Sequence, residues 1–187
     1  VEVAKFSLLI KLIEDETAPS VSEVVPILPD LGDNIQFGNS LVSQTELNGI
    51  SGANRQMMEI APFDWSTINN GCGFDVIIGN PPYVNTEGMH ALLPSAEVEV
   101  YKKKYKTSHK QFDKYFIFIE QAINKINENG LVCYIVPNKF FKIGAGEKLR
   151  KLIANERMLV SLDDLGEAQL FEDKTIKSSI ILISKEK

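Results

Sequence analysis

Apolar residues recur along this chain with more than one period. Val3, Ala4, Phe6, Ser7, Ile10 and Ile13 share one stripe at helical spacing, which predicts an opening helix whose apolar side packs on a sheet. The clearest stripe is Phe112, Tyr115, Phe116, Ile119, Ala122, Ile123 and Ile126, with Asn129-Gly130 as its C-terminal stop. Residues 147–155 read as a third helix. Short apolar runs at 74–78, 131–136, 158–162 and 176–184 lack a helical period, and Ser178 and Ser179 interrupt the last. Such runs, bounded by Gly or Pro, predict strands. Residues 74–78, FDVII, show no alternation, as expected of a central parallel strand covered on both faces. Residues 34–37 form a further short strand candidate ended by Gly38, after a Pro-, Ser-, Asp- and Gly-rich connection at 17–33. Residues 43–73 have no clear period and form a long insertion, with a helical turn near 56–60 and a buried anchor at Trp65.

Strand–helix–strand alternation predicts an α/β fold with a doubly wound, mostly parallel sheet. Ligands in such sheets bind beyond the carboxyl ends of the strands. Residues 79–83 and 137–140 both lie at such ends, so they are expected on one edge of the domain.

Composition narrows the functional classes. The 187 residues, 44% hydrophobic and 24% charged, suit one globular domain, and no apolar run could span a bilayer. Residues 1–13 lack the basic head and cleavage site of a secretory leader. Cys72 and Cys133 make no disulfide framework, and no Cys/His pair has metal-ligand spacing, so a reducing cytoplasmic setting and no metal are expected. The net charge of −5 argues against a global positive field for nucleic acid. The chain opens on Val1 in mid-pattern and reads as a piece of a longer polypeptide.

The chemistry concentrates in Gly79-Asn80-Pro81-Pro82-Tyr83. Two consecutive prolines fix the backbone and remove two amide donors. A carboxamide, a rigid carbonyl and an aromatic ring therefore converge at a strand end. The Asn80 side-chain oxygen and the Pro81 carbonyl can each accept one N–H from an exocyclic amino group, and Tyr83 can stack on its ring. Accepting both protons favours a pyramidal nitrogen whose lone pair can attack an electrophilic methyl, without a general base of shifted pKa. Alone, Asn-Pro-Pro would be a strand-ending turn; its place at a ligand-binding edge favours chemistry.

FDVIIGNPPY resembles the catalytic motif of gamma-class adenine-N6 DNA methyltransferases, of the kind found in type IIG restriction–modification enzymes. Further stretches are similar to that family in the same order: VEVAKFSLLIKLI, NIQFGNSL, FDKYFIFIEQAINKINENGLVCYIVPNKFF and LGEAQLFEDKTIKSSIILISK. The resemblance implies a Rossmann-like, S-adenosylmethionine-dependent methyltransferase domain, partial over 1–187, that acts on double-stranded DNA with a flipped adenine. It assigns catalysis to Asn80, Pro81, Pro82 and Tyr83, and base stacking to Tyr83 and Phe171. Cofactor contacts fall to Asn39, Ser40, Leu41 and Asn80, with Asn39 where the family usually has an acidic residue. Lys102, Lys103, Lys104, Lys106 and Lys110, interleaved with Tyr101, Tyr105 and His109, are candidate DNA-phosphate contacts, or else a solvated helix face.

The family's glycine-rich cofactor turn and acidic ribose ligand have no match here, and GAGEK at 144–148 does not substitute. The resemblance implies that the chain begins just after the family's first two strands, which in the sheet lie between the strands matched by 34–37 and 74–78, leaving a sheet edge open to self-association. An isolated chain is then expected to bind cofactor poorly and not turn over. Two alternatives stay open: an NPPY enzyme methylating a protein glutamine or RNA adenine, and a non-catalytic binding module.

Overall fold

The computed structural model describes residues 1–14, 29–68, 71–155, 158–166 and 177–185. The chain forms two compact units, Val1–Gly38 and Asn39–Lys187. In the first, α1 (Glu2–Ile13) forms as its stripe predicts, but none of its residues is buried, and Val3 and Phe6 are largely exposed. Residues 34–37 make no strand. The Asn34 and Ile35 amides both donate to the Leu31 carbonyl, at 3.2 and 3.0 Å, closing a turn. The Gln36 side chain reinforces it by donating to the carbonyls of Gly32 and Asp33.

The second unit holds β1 (Phe74–Gly79), β2 (Ile126–Pro137), β3 (Leu159–Asp164) and β4 (Ser178–Ser184), in the order β1-β2-β4-β3. β1 and β2 pair in parallel, while β4 lies antiparallel between β2 and β3. Three of the four described strands thus point one way. The expected mostly parallel sheet is correct in strand direction, but the inserted β4 makes two of the three pairings antiparallel. The helices are α2 (Ala53–Ile60), α3 (Thr86–Leu92), α4 (Ser95–Lys104), α5 (Lys114–Lys125) and α6 (Glu147–Asn155). Fully buried Tyr115, Phe116 and Ile119 of α5 share the core with Val132 and Val136 of β2 and Ile181 and Ile183 of β4.

β1 departs from expectation. Val76 is 54% and Ile78 76% exposed, and β1 has β2 as its one strand neighbour among the described residues. It is an edge, not a central strand covered on both faces. The α5 stop also differs. The helix ends at Lys125, because Ile126 is already extended and pairs with Phe74. Asn129-Gly130 lies inside β2, where the register slips between the Phe74–Ile126 and Val76–Leu131 pairs. Gly130 is required there: an added Cβ would stand 2.6 Å from the Ile126 Cβ and 2.7 Å from the Phe74 carbonyl oxygen. Gly130→Ala is expected to cost about 1–3 kcal/mol through overpacking. Urea unfolding should show a lower midpoint; an unchanged midpoint would disprove this close packing.

The 43–73 insertion is more ordered than its sequence suggests. It contains α2 and short 3₁₀ turns at Thr45–Leu47 and Trp65–Thr67. Trp65 is half-buried, not buried as expected, with the Lys125 ammonium over its ring at 5.4 Å from the centre. It is nevertheless an anchor, edge-on to Phe63 and Phe74 and bonded through Nε1 to the Ser40 carbonyl at 2.9 Å.

Candidate active site

The parallel register, with Gly79 opposite Tyr134, puts the carboxyl ends of β1 and β2 on one edge, as expected. The loop after β1 therefore lies beside the end of β2. Pro81 is buried, Asn80 and Pro82 are exposed, and Tyr83 is half-buried. The Tyr83 hydroxyl is 2.6 Å from Asn80 Oδ1 and 3.0 Å from the Ile135 carbonyl, so its one proton is shared between two acceptors. Burial raises the Tyr83 pKa above its ordinary value and keeps it a donor. Its ring sits edge-on to Tyr115, whose hydroxyl donates to the Pro137 carbonyl at 3.2 Å.

The loop is fastened on its other side as well. The Lys114 amide donates to the Val84 carbonyl at 2.8 Å, the Thr86 hydroxyl to the Phe112 carbonyl at 2.7 Å, and Asn85 bridges to Asp113. Asn85 caps α3 by accepting the Gly88 amide. Buried Asp113 pairs at 3.0 Å with Lys139, which follows β2. The start of α5 and the end of β2 thus grip the loop together. Asn80 Oδ1 has two lone pairs and Tyr83 engages one. Among the described residues no hydrogen bond reaches the Pro81 carbonyl. The exposed Asn80 therefore presents an acceptor with a lone pair to spare beside an aromatic ring, next to the buried Pro81, an arrangement that suits a planar amine.

A second constellation surrounds Asn39, Ser40 and Leu41. The Ser40 carbonyl accepts from Trp65 Nε1 and, at 3.1 Å, from Gln121 Nε2. The Leu41 carbonyl accepts from Lys104 Nζ at 2.9 Å and from the Tyr105 hydroxyl at 2.8 Å. The Asn39 amide donates to the Ala61 carbonyl, and Asn39 Oδ1 accepts the Leu41 amide at 3.1 Å. The insertion, α4 and α5 all converge on this tripeptide. Asn39 and Ser40 remain half-exposed while Leu41 is fully buried. Such a carboxamide suits the edge of an adenine.

The lysine stretch divides. Lys103 pairs with Glu99 at 2.6 Å, and Lys104 pairs with Glu46 at 2.9 Å and lies over the Tyr105 ring. Lys102 meets His90 at 3.2 Å, and Lys106 and Lys110 are exposed. Lys110 adopts a left-handed φ of 57°. Tyr101 and Tyr105 are core residues, not stacking platforms, because α4 turns that side inward. Phe171 lies outside the described residues. Phe140 is core. Glu120 is structural: buried, its two oxygens accept the Lys106 and Thr107 amides.

Sequence reasoning missed buried Glu97 with Tyr101 and Lys114. The available signal was the i,i+4 spacing that sets Glu97, and not Glu99, on the same helix face as Tyr101 in AEVEVY.

Among the described residues no group of metal-ligating side chains and no membrane-length apolar helix occurs, and both cysteines are free.

A family model for the Eco57I restriction-modification methylase matches residues 1–171. The chain is 43% identical over 181 residues to the type II restriction enzyme and methyltransferase RM.Eco57I of Escherichia coli, covering 97% of this chain and 17% of that protein. It is 32% identical over 114 residues to the type II methyltransferase M.BstVI of Geobacillus stearothermophilus, covering 61% of this chain and 20% of that one. The chain thus spans about a fifth or less of the curated relatives it matches. A solved type I restriction-modification methyltransferase subunit from Streptococcus thermophilus aligns at 20% identity and a TM-score of 0.48, over 67% of this chain and 26% of that one. On the family match over residues 1–171, this chain belongs to the Eco57I restriction-modification methylases.

Proposed function

We propose that this chain carries the methyl-transfer loop of a cytoplasmic, site-specific adenine-N6 DNA methyltransferase of the gamma class, within a type IIG-like restriction–modification enzyme. The observation that carries this reading is the loop after β1. Exposed Asn80 Oδ1 is an acceptor fixed by Tyr83 at a sheet edge, and the adjoining Pro81 carbonyl takes no hydrogen bond among the described residues. They hold the two protons of the target amino group and turn its lone pair toward the incoming methyl. Tyr83 supports the extruded base, and exposed Lys102, Lys106 and Lys110 contact flanking phosphates.

S-adenosylmethionine supplies a methyl on an electrophilic sulfonium. Within this chain Asn39, with Ser40 and Leu41 behind it, would hold its adenine, and Asn80 would lie close to its methyl. The residues present fit that adenine end alone, because no glycine-rich turn directly follows a strand in this sequence. β1 also leaves Val76 and Ile78 exposed along an edge that no other strand covers among the described residues, a surface for self-association of an isolated chain. These 187 residues alone are therefore expected not to turn over.

The test supplies methyl-tritiated S-adenosylmethionine to the full-length polypeptide with mixed-sequence DNA and, separately, with protein extract and RNA. Label in DNA is expected. Label in protein or RNA instead would overturn the substrate assignment, and robust methylation by the 187-residue chain alone would overturn the incompleteness.

A further inference from the structure

We infer that Lys110, Lys139 and Lys142 form a basic rim beside the candidate loop that binds the DNA sugar–phosphate backbone next to the target nucleotide. The inference rests on the proposed DNA substrate and goes beyond it by assigning where the strand runs.

One side of the rim is the turn that follows β2. The Lys142 and Ile143 amides both donate to the Lys139 carbonyl, at 3.0 and 3.1 Å, which closes that turn. It starts at the carboxyl end of β2, on the same edge as Asn80. The other side is the tip before α5, residues 110–113. That tip is fastened to the chain just after the candidate loop: the Phe112 carbonyl accepts the Thr86 hydroxyl at 2.7 Å, and Asp113 bridges to Asn85.

Two approaches join turn and tip. Lys139 Nζ stands 3.0 Å from each carboxylate oxygen of Asp113, and a Cβ at Gly144 would lie 3.8 Å from Lys110 Nζ. Both sides line one open groove of about 470 Å³, formed by Lys110, Gln111, Ile143, Gly144 and Ala145.

Charge and shape select the occupant. Lys110 and Lys142 are exposed and form no ion pair among the described residues. Lys139 adds little net charge, because Asp113 offsets it. Its side chain is nevertheless 48% exposed against 4% for Asp113, so a cation of fixed position keeps an N–H for an outside acceptor. Nearby acids are already engaged. Asp164 Oδ1 accepts from Asn138 Nδ2 and the Gly166 amide, both at 3.0 Å, and Glu147 pairs with Lys151 at 2.7 Å. The rim therefore favours an anion on a chain whose overall charge is −5. Half-buried Ile143 and Ala145 add an apolar wall, which suits a phosphodiester joined to deoxyribose.

The test measures the anisotropy of a fluorescein-labelled, mixed-sequence duplex bound to the full-length polypeptide across a series of salt concentrations. Each phosphate contact contributes about 0.9 to the slope of log affinity against log salt. Lys110→Gln and Lys142→Gln are each expected to lower that slope by about one, and the affinity about eightfold at about 0.1 M salt. Lys142→Arg should keep both, since it keeps the charge. Lys139→Gln alone would leave Asp113 buried without its cation, so Asp113→Asn with Lys139→Gln is the fitting variant. It leaves net charge unchanged, yet the slope should again fall by about one. A purely structural ion pair would leave the slope as it was. Lys185→Gln makes the same charge change at the opposite edge, where Lys185 Nζ bonds the Ile126 carbonyl at 2.8 Å, and should leave the slope unchanged. A wild-type slope in any of the three neutralising variants, or an equal fall in Lys185→Gln, overturns the rim. A wild-type polypeptide that binds the duplex without salt dependence, or not at all, would instead overturn the DNA substrate.

Discussion

Asn80→Ala in the full-length polypeptide is expected to lower the methyl-transfer rate by about 10²–10³-fold, the loss typical when one fixed hydrogen-bonding group at a reacting centre is removed. The effect should fall on kcat more than on DNA affinity, since the carboxamide oxygen bonds the amino group most strongly as positive charge develops on its nitrogen. Stability should change little. Asn80 is exposed, and when it is truncated the Tyr83 hydroxyl keeps the Ile135 carbonyl as its acceptor. Rate and melting temperature measured on one preparation separate the two effects. A variant that methylates at the wild-type rate would show that this loop is a turn and nothing more.

Lys114→Met is expected to act oppositely, on stability before chemistry. Its amine is the cation paired with Glu97, whose side chain is 5% exposed against 14% for Lys114. Removing one partner of a buried pair leaves an uncompensated charge, at about 3 kcal/mol. Glu97→Gln in the Lys114→Met background should recover most of that loss, because a neutral amide needs no counter-charge. Urea denaturation of the four proteins completes the cycle. Equal midpoints for wild type and Lys114→Met would mean that Glu97 is solvated or already neutral. Because the Lys114 amide also bonds the Val84 carbonyl, the same residue links this buried pair to the chain just after the candidate loop.

What the sequence made legible follows from where local signals were decisive. Helix α6 spans the 147–155 predicted, since its apolar face is buried at Leu149 and Ile153 and nothing distant overrides it. The loop after β1 was legible for a similar reason: Gly79 and two prolines punctuate a β-rich run unambiguously. Residues 34–37 failed because a short run becomes a strand only with a neighbour, and here the turn at Leu31 satisfies the backbone first. The direction of β4 was invisible because an apolar run carries no mark of polarity; the antiparallel pairing emerges only from the ladder with Val132 to Val136. Asn129-Gly130 misled because the pair suits a helix stop as well as a strand slip, and only the proximity of Phe74 and Ile126 distinguishes them.

The candidate site was legible in its chemistry and not in its support. Asn80 and Tyr83 were named from type and spacing, and they hydrogen-bond each other. The bond from Tyr83 to Ile135 spans 52 residues, and that from Tyr105 to Leu41 spans 64. No local pattern encodes such pairings. The lysines show the same limit: Lys104 looks identical to Lys106 in sequence, yet Glu46 and the Leu41 carbonyl hold one while the other is exposed.

The central claim is that the loop after β1 methylates the amino group of adenine in DNA. Its most direct test is mass spectrometry of nucleosides from DNA treated with the full-length polypeptide and S-adenosylmethionine, wild type beside Asn80→Ala. The account predicts N6-methyladenine from wild type and its near absence from the variant. Methylcytosine, no methylated nucleoside, or equal N6-methyladenine from both proteins would contradict it.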